Sequence, residues 1–122
     1  MSARKLILLV DDDEAVIEFL GVKLAEFDLI STGSPEEALE LARTRAPDLV
    51  LCDIELPGMD GGDISAALFG QPETHHIPLV FLTALVTPEE LAAKGHQLAG
   101  RAAISKQAPI EQILGRVRTV LA

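Results

Sequence analysis

Tryptophan and tyrosine are missing from this 122-residue chain, and phenylalanine occurs only four times. Cations are sparse as well, with 10 Lys and Arg against 19 Asp and Glu and a net charge of −9. Without rings to stack on bases or a basic stripe to meet phosphates, direct nucleic-acid binding is excluded. The single cysteine, Cys52, rules out an internal disulfide. Only five apolar residues, Leu6 to Val10, separate Lys5 from three aspartates, too few for the core of a secretory signal. Both features point to the cytoplasm. No apolar run approaches the roughly 18–20 residues of a membrane span, so no membrane insertion is expected.

What is present suits one compact domain over residues 1–122, with 48% hydrophobic and 24% charged residues. Leu6-Ile7-Leu8-Leu9-Val10 and Leu49-Val50-Leu51-Cys52 are short, continuous apolar runs, the pattern of strands covered on both faces of a parallel sheet. Asp28 to Thr32, Pro78 to Leu82 and Ala102 to Ser105 read as further strands. Between them lie helical spacings. Val16, Ile17, Leu20, Leu24 and Phe27 predict a helix over 14–26, with Asp13 and Glu14 at its electropositive start. Ser34-Pro35-Glu36-Glu37 and Thr87-Pro88-Glu89-Glu90 each carry the N-cap, the early proline and the third-position acid of a capping box. The second of these helices is expected to run to about Leu98 despite Gly95. Pro57 to Gly62 reads as a turn, Asp63 to about Gly70 as a short helix, and Ile110 to Leu121 as a last amphipathic helix.

Strands alternating with helices predict a doubly wound α/β fold with right-handed crossovers. Such sheets bind ligands beyond the carboxyl ends of their strands. There the sequence places Asp11 and Asp12 after the first strand, Asp53 after the third, Thr83 after the fourth and Lys106 after the fifth. Crowded carboxylates repel one another and call for a cation. Magnesium, or manganese, accepts one or two carboxylates and keeps waters and phosphate oxygens, which suits Asp12 and Asp53 as ligands, with Asp11 direct or through water. Lys106 then offers a point charge and Thr83 a hydroxyl donor to a phosphoryl group, and a carboxylate can serve as its nucleophile.

Val10-Asp11-Asp12-Asp13, Asp53-Ile54-Glu55-Leu56-Pro57-Gly58-Met59-Asp60-Gly61, Thr83-Ala84 and Lys106, in this order, resemble the receiver domain of two-component response regulators. The resemblance spans nearly the whole chain. It implies a flavodoxin-like fold, a five-stranded parallel sheet of order 2-1-3-4-5 with helices on both faces. It further implies that Asp53 accepts a phosphoryl group from the phosphohistidine of a sensor histidine kinase or a phosphotransfer protein. Asp11 and Asp12 would hold the metal with Asp53, the backbone carbonyl of Glu55 would complete its coordination, and Thr83, Ala84 and Lys106 would contact the phosphoryl oxygens. The output would pass to a downstream protein or a fused output domain. The expectation is a receiver that stands alone or forms one module of a larger regulator or hybrid kinase.

Two positions depart from the family pattern. Receivers usually carry an aromatic residue three before the lysine, where this chain has Ala103, and a proline after the lysine, where it has Gln107. An alanine has no rotamer to switch. A non-proline cis bond costs about 2.5–4 kcal/mol, so the Lys106–Gln107 bond is expected to be trans. Either the output runs instead through the fourth helix and the loop before it, or Ala103 is tolerated drift.

Blander readings exist for each feature. An Asp-rich run can be a solvated helix start, and Cys52 reads as a small buried hydrophobe. His75, His76 and His96 lack metal-ligand spacing and read as surface residues. Three other functions compete. A magnesium-dependent aspartate phosphatase would want Asp-x-Asp where this chain has Asp53-Ile54-Glu55. A flavin carrier would want a phosphate-binding loop after the first strand. A pseudo-receiver would act through binding alone, and the complete set of acids, hydroxyl and lysine argues against it.

Overall fold

The computed structural model describes residues 4–56 and 58–122, so the expected turn lies partly outside the described residues at Pro57. Its strands are β1 (Leu6–Val10), β2 (Asp28–Thr32), β3 (Leu49–Asp53), β4 (Leu79–Thr83), a two-residue β5 (Gln97–Leu98) and β6 (Arg101–Ser105). The helices are α1 (Glu14–Lys23), α2 (Pro35–Arg45), α3 (Gly61–Phe69), α4 (Pro88–Ala93) and α5 (Ile110–Leu121). The sheet order is β2-β1-β3-β4-β6-β5, and every pairing is parallel except β5 with β6. The five parallel strands thus follow the order 2-1-3-4-5 read from the sequence.

Alternation along the strands divides the core into two layers. Leu8, Val10, Val50, Cys52, Phe81 and Ala103 pack with Ala38 and Ala42 of α2, Ile64 and Leu68 of α3 and Leu91 of α4. Ile7, Leu9, Leu49, Leu51, Val80, Leu82 and Ile104 pack on the other face with Leu20 of α1 and with Ile113 and Val117 of α5. β1, β3 and β4 are therefore covered on both sides, which is why they read as unbroken apolar runs. Each fully buried large aliphatic or Phe side chain contributes about 1.5–3 kcal/mol of transfer free energy.

The sixth strand corrects the five-strand expectation, and its cause is local. α4 ends at Ala93 rather than near Leu98, because Gly95 and His96 adopt φ of 70° and 59°, which a right-handed helix cannot include. Ala99 (φ 51°) and Gly100 (φ 76°) then turn the chain back into β6, and β5 pairs antiparallel along its outer side. His96, expected on a helix surface, instead sits half-buried at this bend. Leu98 packs against the core layer beneath α4.

The caps also differ in detail. Thr87 and Glu90 form the full reciprocal box, and so do Asp60 and Asp63 at α3, which starts two residues earlier than expected. At α2 only half the box is made. Ser34 Oγ accepts from the Glu37 N–H at 3.2 Å, while the Ser34 N–H is taken by Thr32 Oγ1 at 3.0 Å and leaves Glu37 nothing to bond. α1 ends at Lys23, short of residue 26, where Leu24 N–H closes on Leu20 O at 2.8 Å.

Candidate functional site

The acidic ends of β1 and β3 lie side by side because Val10 pairs with Cys52, which brings Asp11 next to Asp53. The backbone continues this alignment past the strands. Asp11 N–H donates to Thr32 O at 3.0 Å, Ile54 N–H to Leu82 O at 3.2 Å and Lys106 N–H to Thr83 O at 2.7 Å. Gly61 lets α3 start directly under the site, since a Cβ there would lie 2.8 Å from Asp53 O and 2.9 Å from the Phe81 ring.

Carboxylate oxygens of Asp11, Asp12 and Asp53 lie within 4.8 Å of one another. Asp11 is fully buried and Asp12 exposed, so the cluster runs from the interior to the surface. Asp11 Oδ1 accepts from the Asp13 N–H at 2.9 Å, and Asp13 in turn caps α1 by accepting from Ala15 N–H at 2.9 Å. Lys106 Nζ reaches Asp11 Oδ2 at 2.6 Å and Asp53 Oδ2 at 3.2 Å. Apart from this ion pair with Lys106, the buried Asp11 Oδ2 has no partner among the described residues. A buried carboxylate oxygen in that state is what a hard divalent cation satisfies. The donor set, all carboxylate oxygen with an exposed opening at Asp12, fits magnesium or manganese.

Burial pushes the Asp53 carboxyl above the usual carboxylate range, and the neighbouring Asp11 charge adds to this. The Glu55 N–H, 3.1 Å from Asp53 Oδ1, and the Lys106 ammonium act in the opposite direction without cancelling the burial. For Lys106 burial works to lower the pKa, but Asp11 and Asp53 together outweigh it and hold the ammonium above its ordinary value. Cys52, beneath the site, has its thiol pushed up to about 12 by burial and by the adjacent acids Asp53, Asp11 and Asp60. A thiol in that state is neither a thiolate nucleophile nor a ligand, as the sequence reading held.

Thr83 is fully buried at the end of β4, and its Oγ1 accepts from the Leu85 N–H at 3.0 Å, leaving the O–H free to donate. Ala84 follows it at the surface. Glu55 meets the site through its N–H, with its side chain exposed. All seven residues singled out in the sequence therefore gather at one end of the sheet. Sequence reasoning missed three features around them. Phe19 of α1 is an exposed apolar residue that lines a cavity with Lys106, and Val22 is exposed further along the helix, where Leu20 is buried; both fall off the apolar spacing that marked the helix. Ser105 and Gln107 flank Lys106 and bond the loop after Thr83. Arg101 stacks 3.4 Å over the Phe69 ring and donates to Ser65 Oγ at 3.0 Å, pinning β6 to α3. The Lys106–Gln107 bond is trans, as expected.

The family model described as "Response regulator receiver domain" matches residues 7–118. The chain is 46% identical over 87 residues to the response regulator PleD of Caulobacter vibrioides, a match covering 70% of this chain and 19% of that protein, so it spans about a fifth of PleD's length. It is 31% identical over 121 residues to the polar-differentiation response regulator DivK of Brucella ovis, covering 96% of each chain. Among solved structures, the signal receiver domain of an HD domain-containing protein from Pseudomonas fluorescens superposes with a TM-score of 0.80 at 28% identity, covering 98% of this chain and 95% of that one.

Proposed function

The chain belongs to the response regulator receiver family of two-component signalling, and from that premise we propose that Asp53 is its phosphoacceptor in a magnesium-dependent transfer from a histidine kinase or phosphotransfer protein. The observation that carries this reading is the joint placement of Asp11, Asp12, Asp53 and Lys106, four charges drawn from three strand ends into one partly buried cluster.

In the transfer, an Asp53 carboxylate oxygen attacks phosphorus. A P–O bond forms as the P–N bond to the donor imidazole breaks, and the departing ring nitrogen takes a proton from solvent. Asp53 reacts as the carboxylate, and the Lys106 ammonium favours that form against burial. The Glu55 N–H on Oδ1 and Lys106 on Oδ2 fix the carboxylate plane before reaction. Lys106 and the free O–H of Thr83 then meet the charge on the phosphoryl oxygens, and the exposed Ala84 adds its N–H. Asp11, Asp12 and Asp53 with the Glu55 carbonyl would hold magnesium, which would supply Lewis-acid neutralisation of that charge. Phe19, with Val22 further along the helix, gives the donor protein an apolar footing beside Lys106. The chain acts as a regulatory phosphoacceptor, and the Asp53 acyl phosphate then biases binding of a downstream protein or output domain.

Intact mass after incubation with phosphoramidate, whose P–N bond matches that of phosphohistidine, tests this reading. A magnesium-dependent phosphoryl adduct on the parent that is absent from Asp53→Asn is expected. Folded, magnesium-binding parent that takes no adduct would favour the pseudo-receiver.

A further inference from the structure

Two hydrogen bonds tie the segment after Thr83 to the strand end that carries Lys106, and a third braces that strand end. Ser105 Oγ donates to Val86 O at 2.7 Å, Gln107 N–H donates to Ser105 Oγ at 3.1 Å, and Gln107 Nε2 donates to Ala84 O at 3.2 Å. Ser105 is buried and stands opposite Thr83 in the β4–β6 pairing, while the Lys106 N–H holds Thr83 O. The second of the three bonds needs the N–H of Gln107. A proline in that place, the family's common choice, has none to give.

Building on the phosphoacceptor reading, we propose that Ser105 and Gln107 are positioning residues that clamp residues 84–86 to the Lys106 strand end, so that Thr83, Ala84 and Lys106 respond to the phosphoryl group as one unit. The clamp also supplies the exit route for the signal. Val86, whose carbonyl Ser105 holds, directly precedes Thr87, the N-cap of α4. A shift at Thr83 therefore reaches the start of α4 through backbone that is bonded at both Ala84 and Val86. Ala103, with only a methyl group buried in the core layer that holds Phe81 and Leu91, offers no side chain for a route through β6. The departure at Gln107 thus makes good the loss at position 103.

Four proteins test the clamp: the parent, Ser105→Ala, Ser105→Thr and Gln107→Met. The first readout is the rate of adduct formation from a small acyl phosphate with magnesium, followed by intact mass. The second is the change in amide hydrogen exchange of residues 87–93 when the donor is added. Loss of one net hydrogen bond slows a step that uses it about fivefold, so Gln107→Met, which loses one, is expected to react about fivefold more slowly, and Ser105→Ala, which loses two, more slowly still. Both are expected to lose the exchange response at 87–93, and Ser105→Thr, which keeps the hydroxyl, is expected to regain both properties. Gln107 is exposed, so Gln107→Met keeps the test intact should Ser105→Ala fail to fold. A parent that is modified while Gln107→Met matches it in rate and exchange response overturns the clamp and leaves the phosphoacceptor reading standing. A folded parent that is never modified overturns both.

Discussion

The two ends of β6 obey different rules. At its C-terminal end, Lys106 meets Asp11 and Asp53 across the end of β4, and every residue to which the family resemblance assigns a site role is in its place, the departure at Gln107 falling just past them. At its N-terminal end the chain departs from the same pattern. α4 is only six residues long, β5 and two bends fill the space beyond it, and Ala103 stands where an aromatic is usual. On the phosphoacceptor reading, the charged end is held by chemistry, because carboxylates, lysine and hydroxyl must meet one small dianionic group with little tolerance. The other end needs only to be packed and to differ between two states, and apolar volume can be redistributed while packing is kept. Here Arg101 reaches α3 and Leu98 covers the layer under α4.

Replacement of single groups at each end sharpens this contrast. The largest effect belongs to Lys106→Met, which removes the one cation of the cluster; phosphoryl uptake by intact mass is expected to slow about a hundredfold, as for loss of a preorganised charge-stabilising donor. A fall of less than a few-fold would place phosphoryl stabilisation elsewhere. Next is the metal itself. Magnesium at 100 times its dissociation constant is expected to raise unfolding free energy by about 2.7 kcal/mol in denaturant titrations, and Asp12→Asn to remove most of that gain. At the other end, Ala103→Phe is expected to destabilise the fold by about 1–3 kcal/mol, because position 103 is buried in the core layer that holds Phe81 and Leu91. A neutral result would mean that an aromatic can swing clear there.

The smallest effect is a pH dependence. The folded pKa of Asp53 is raised, so its contribution to stability is full below the ordinary carboxylate range and is lost as pH rises through the raised value. Asp53→Asn is therefore expected to melt higher than the metal-free parent at neutral pH, with the advantage fading as pH falls below the carboxylate range. An advantage that is constant with pH would assign the gain to something other than the buried charge.

The strands and the site residues were legible because each carries a local signature. Doubly covered strands are apolar runs, and carboxylates that stop such runs announce the binding edge. What the sequence hid depends on backbone conformation or on contacts distant along the chain. Nothing in His96 or Ala99 marks a left-handed residue, and with Gly95 alone as a warning the helix pattern ran through to Leu98. The bond from Ser105 to Val86 joins the end of β6 to the loop after β4, and a serine before a lysine is an ordinary surface pair until the fold brings them together. Gln107 was visible as a departure, but its donor role needed the position of Ala84 O.

Amide chemical shifts of the parent, recorded with magnesium before and after addition of a small acyl phosphate, test the contrast between the two ends most directly. The expected result is a set of changes that spreads from Asp11, Asp53 and Lys106 through residues 84–93 while β5 and the start of β6 stay largely still. Changes confined to the metal-binding residues, with none in 84–93, would contradict it.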